Sequence, residues 1–220
     1  MRKVISIGKV SSAITTAVAV VYAMLLVLYR LHLIPHPANL YSLFLPSLLL
    51  TPAFLITTVC IDIVADKRSR KWTIAAWALA TINCTMMMML YGAAPGVFAP
   101  SHLNWETPGL VMIGCEHPFE LMAMRYAVFL LSSASSLLLA FGFRNVSAGW
   151  FDRRLLINAL LLPFFILSCI FPHFYYFLIS AWLITFALAT IEARNFFMIK
   201  ERKLQKEENR NTSVIQWIIQ

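Results

Sequence analysis

Glu116, His117 and Glu120 stand together at the edge of an apolar run, and Arg125 follows inside it. If this stretch is helical, Glu116 and Glu120 share one face with His117 one position round. Histidine titrates near neutrality, and a neighbouring carboxylate raises its pKa or fixes its tautomer, the pairing that general acid–base catalysis uses. The catalytic candidates read from the sequence are therefore His117, Glu116 and Glu120. Arg125 carries a planar, permanently charged fork suited to phosphate or carboxylate. It is the leading candidate for substrate binding, joined by His102, Glu106 and His173, which the chain topology argued below carries to the same side.

Each candidate also has a purely structural account. Pro118 suits the first turn of a helix, where its missing N–H costs nothing. Glutamates at a helix N-terminus meet the positive end of the macrodipole, an effect of about 0.3 to 1 kcal/mol. Arg125 can snorkel toward the headgroups with a nearby glutamate as partner. These accounts are simpler, and the acid–base and anion-binding roles compete with them. Imidazole and carboxylate together would also suit zinc or iron. The spacing of His32 and His36, however, encloses Pro35 and lacks the glutamate of H-E-x-x-H, so no metal is assigned and the cofactor is unknown.

The elements that must position these residues are membrane spans. Hydrophobic residues make up 60% of the 220 and charged residues 13%, with a mean hydropathy of +0.74. Soluble domains carry about 45–50% and about 25%. Such a chain has too few polar side chains to cover a water-facing surface, whereas a bilayer asks for none. The fold class is all-α, a polytopic integral membrane helix bundle. A net charge of +8 would suit nucleic acid in a soluble protein. Here the charges fall between apolar runs, so nucleic acid is excluded, and the basic residues act as orientation signals and contacts to anionic headgroups.

A helical span needs roughly 20 apolar residues. Six runs qualify: Val10–Tyr29, Leu40–Ile61, Trp72–Tyr91, Leu121–Phe143, Leu155–Phe171 and Phe174–Ile191, the last two separated by Pro172 and His173. They form a single membrane domain over residues 1–199, followed by a charged tail, 200–220, read as a helical extension or a disordered end. The first run is longer than the apolar core of a signal peptide and is read as a retained span. With both termini cytoplasmic, every lysine and arginine except Arg30 and Arg125 falls on the cytoplasmic side, as positive-inside bias requires.

That topology places all five histidines on the opposite side, with Glu106, Glu116 and Glu120. The segment 92–120 between the third and fourth spans is apolar and far longer than ordinary connections, so it is expected to fold back as a lid or re-entrant element. Asn83, Cys84, Thr85 and the serines between Ser132 and Ser136 sit midway along their spans, where small and hydroxyl residues let helices approach and bond. The four cysteines are widely spaced and imply neither a disulfide framework nor a zinc site.

No ionisable residue falls near the middle of any span, which counts against an ion-coupled carrier. The expectation is a small membrane-embedded enzyme or binder acting on a lipid or isoprenoid-like substrate through a His/Glu site at the extracytoplasmic helix ends, in contact with membrane lipids. The alternatives are an accessory subunit packed on a larger protein partner and, behind it, a small transporter, with a protein partner or a homo-oligomer among the expected assemblies.

Overall fold

The computed structural model describes residues 1–35, 38–92, 118–144, 151–168 and 175–219, with the side chains of 30, 38–44, 90–92, 118–125, 168, 175–176 and 211–219 outside the description. The described residues are almost all helical, with short turns at 31–35, 65–69 and 160–161 and no strand among them. The helices are α1 (Arg2–Arg30), α2 (Ala38–Val64), α3 (Arg70–Gly92), α4 (Pro118–Phe143), α5 (Phe151–Ala159), α6 (Leu162–Ser168) and α7 (Tyr175–Ile219). Five of them, α1 to α4 and α7, are each long and apolar enough to cross a bilayer. Apolar side chains such as Val10, Met24, Ile82 and Ile184 cover their outer faces. The chain is an integral membrane protein of the all-α class.

The helices close into a ring: α1 packs on α2 and α7, α2 on α3, α3 on α4, α4 on α5 and α6, and these in turn on α7. Aromatic rings fill its centre. Phe129 stacks on Phe165 at 5.3 Å and meets Trp182 edge-on at 5.1 Å, while Phe186 lies 4.5 Å from Trp182 and 4.9 Å from Phe54. A second cluster joins Phe143, Phe151, Phe196 and Phe197. Offset and edge-to-face contacts of this kind add about 0.5–1.5 kcal/mol each beyond the area they bury.

α1 and α7 run antiparallel along their whole contact. Arg2 pairs with Glu208, Lys9 Nζ lies 2.7 Å from a Glu201 oxygen, Gly8 meets Phe197, and the Thr16 and Thr190 hydroxyls are 2.8 Å apart. The start of α1 and the charged part of α7 therefore lie at one end of the bundle, here termed the tail end. α7 has 45 residues and crosses the expected limit between membrane domain and tail without a break. Leu204 packs on the second aromatic cluster, and the ion pairs to α1 hold the extension against its neighbour. The tail thus takes the helical alternative.

The expected fifth span, Leu155–Phe171, is not one continuous helix among the described residues. Its first part is two short helices, α5 and α6, separated by a turn at Leu160 and Leu161. Pro163 is the physical reason. It has no N–H to bond the carbonyl of Ala159 four residues earlier, and its ring clashes there. α5 ends at that residue. The broken segment still runs the length of the core, because Phe151 contacts Phe143 and Phe196, Asn158 reaches Trp182 and Thr185, and Phe165 stacks on Phe129. It is antiparallel to both α4 and α7.

Candidate functional site

α4 begins at Pro118, where proline chemistry places a helix start. Its last residue, Phe143, packs on Phe196 near the tail end, so its first turns lie at the opposite, far end. The backbone of Glu120 and Arg125 is thereby fixed in the opening turns of α4, at the end away from Arg2 and Glu208. The side chains of both lie outside the described residues, as do Glu116, His117, His102, Glu106 and His173. The mutual geometry of the seven candidates falls there too.

Of the other far-end histidines, His36 is outside the described residues and His32 is within them. His32 is exposed and occupies the left-handed region, with φ of 55°. Its N–H bonds the Tyr29 carbonyl at 3.1 Å, and the Leu33 N–H bonds the Leu28 carbonyl at 3.1 Å. This is a Schellman cap, with histidine at the position glycine usually takes. His32 therefore closes α1, a structural task that the sequence reading did not assign to it.

The interior is where the described polar chemistry concentrates. Asn83 donates to Ser132 Oγ at 2.7 Å, Ser135 to the Ala76 carbonyl at 2.8 Å, and Trp182 Nε1 to Ser133 Oγ at 3.2 Å. Thr57 donates to Ser11 Oγ at 3.0 Å. Asn158, fully buried on α5, donates to the Trp182 carbonyl at 3.3 Å and to Thr185 Oγ1 at 3.0 Å. These bonds cross helix interfaces, which is how membrane bundles use small hydroxyl and amide side chains. Asn158 is the residue that sequence reasoning missed. Its signal was one amide in an apolar run.

The amide oxygens of Asn83 and Asn158 are buried without a hydrogen-bond partner among the described residues. A cavity of about 10 Å³ lies lower in the bundle, lined by Phe54, Thr57, Ser136, Phe186 and Thr190, among others. That is about the space of one water molecule. At the tail end, Arg154 pairs with Glu192 and Lys200 with Asp66, both at 3.3 Å. No group of His, Cys, Asp and Glu among the described residues is arranged to hold a metal.

This arrangement commits the mid-depth polar groups to holding helices together and fills the ring with aromatic side chains. Comparison with family models, with curated proteins and with solved structures finds no match to this chain.

Proposed function

We propose that the protein is a small membrane-embedded enzyme or binder for a lipid or isoprenoid-like molecule, working at the far end of the bundle, which positive-inside bias assigns to the extracytoplasmic side. The single observation that carries this reading is the start of α4 at Pro118, at the end opposite the ion-paired tail end. It puts Glu120 and Arg125 on one rigid helix beginning directly after Glu116 and His117. In this reading His117 with Glu116 and Glu120 handles the proton, and Arg125 holds an anionic head. His102, Glu106 and His173 complete the polar rim, while the tail of the substrate lies against apolar helix surface.

The filled core supports this reading over a transporter, because its buried hydroxyls and amides already serve as helix–helix bonds. The buried serines bear on the accessory-subunit reading. Ser132, Ser133, Ser135 and Ser136 are each no more than 3% exposed, and Ser132, Ser133 and Ser135 bond to α3 and α7 of the same chain. The small-residue face that would have suited a partner is filled from within.

The experiment uses purified full-length protein in detergent with farnesyl phosphate as probe. A ligand at a hundred times its Kd stabilises the folded state by about 2.7 kcal/mol. The expected result is a rise in melting temperature that Arg125→Gln abolishes and Arg202→Gln leaves intact. No rise, or the same rise in both variants, overturns the anion-binding role.

A further inference from the structure

At the tail end, the start of α3 is locked to the end of α4. Ser69 Oγ donates to the Gly142 carbonyl at 2.7 Å, a Cβ on Gly142 would lie 3.2 Å from Trp72 Cβ, and the Trp72 and Phe141 rings are 5.6 Å apart. Five cations surround this junction. Lys67 and Arg68 precede α3, Arg70 and Lys71 open it, and Arg144 follows α4, all of them exposed.

Four carboxylates of this end are engaged elsewhere, while Asp152 in the first turn of α5 forms no ion pair among the described residues. Asp66 pairs with Lys200, Asp62 accepts from the Thr73 hydroxyl, Glu192 pairs with Arg154 and Glu201 with Lys9. Among the described residues, none of the five cations forms an ion pair. Like charges held on one rigid frame repel, and an anion placed among them relieves that repulsion. Phosphate oxygens match the guanidinium fork as well as the ammonium point charge.

We propose that this α3–α4 junction binds the phosphate of an anionic phospholipid from the adjacent leaflet. The apolar neighbours select a lipid over a soluble phosphate. Phe141 is 41% exposed on the outer face, and Trp72 lies between it and Lys71, whose Nζ is 5.4 Å from the indole ring. A headgroup held by the cations would therefore lay its acyl chains along Phe141 and Trp72, the arrangement aromatic residues adopt at a membrane interface. Basic clusters next to a span attract anionic lipids by about 1 kcal/mol per residue, equivalent to about fivefold in affinity. This site stands at the opposite end from α4's first turns and is independent of the function proposed there.

The test is native mass spectrometry of the full-length protein in detergent, titrated with dioleoylphosphatidylglycerol or dioleoylphosphatidylcholine. Preferential retention of phosphatidylglycerol is expected, weakened on the order of 25-fold in the Lys71→Gln/Arg144→Gln double variant and substantially restored in Lys71→Arg/Arg144→Lys. The control variant Arg202→Gln/Lys203→Gln, on the exposed tail helix, should retain the lipid as the unmodified protein does. All these positions are exposed, and an unchanged melting temperature confirms folding. Equal retention of both lipids, or equal loss in the control variant, overturns the site. Complete displacement of phosphatidylglycerol by millimolar inorganic phosphate overturns the lipid as its occupant.

Discussion

Gly8 of α1 lies against the ring of Phe197 of α7 so closely that a Cβ on the glycine would stand 2.4 Å from the phenyl Cζ. Phe197 is fully buried, so the ring has little freedom to retreat. The contact lies between the Arg2–Glu208 pair and the interior threonine pair, and it sets the separation of the two helices. Gly8→Ala is expected to destabilise the bundle by about 1–3 kcal/mol through overpacking. Phe197→Leu should absorb part of that cost. A double-mutant cycle of thermal melting in detergent reads the coupling, and additive effects would contradict the contact.

Asn83 and Ser132 give a second expectation. Ser132→Ala removes the acceptor of a buried amide, a loss of about 1–3 kcal/mol when the donor stays unsatisfied. Asn83→Leu removes that donor and also the amide oxygen that lacks a partner, while Ser132 can turn its hydroxyl to its own helix backbone. The larger chemical change should therefore cost less. Chemical denaturation of both variants in the same detergent decides, and a costlier Asn83→Leu would refute the arrangement.

The break between α5 and α6 follows from Pro163. Pro163→Ala restores the N–H that the Ala159 carbonyl lacks, so the helix should run on through Leu160 and Leu161. Amide exchange in residues 160–163 is expected to slow on the order of tenfold, as local opening becomes less favourable. Unchanged exchange there would mean that packing, and not the proline, holds the turn.

The apolar runs that became α1, α2, α3, α4 and α7 were legible because bilayer thickness demands length and composition that soluble helices lack. The break at Pro163 was not, since Pro172 offered a competing stop and a proline inside a span is often tolerated. The continuity of α7 was hidden for another reason. It depends on Leu204, Glu201 and Glu208 finding partners on α1 and in the tail-end core, contacts between residues some two hundred positions apart. Asn158 escaped because a lone amide carries no spacing signal. In the candidate site, the residue types and the start of α4 at Pro118 could be read from the sequence. How Glu116, His117, Glu120 and Arg125 face one another depends on side chains outside the described residues.

The central claim is a bundle with the start of α1 and the charged stretch of α7 at its cytoplasmic end and the beginning of α4 at the other. Single cysteines at Arg2→Cys, Arg68→Cys, Glu208→Cys and His32→Cys, in a background with the native cysteines replaced by alanine, test it with a membrane-impermeant maleimide on intact cells. His32→Cys should label at once, and the other three only after the membrane is opened. Labelling of Arg2→Cys and Glu208→Cys from opposite sides, or of His32→Cys from the same side as either, would contradict the account.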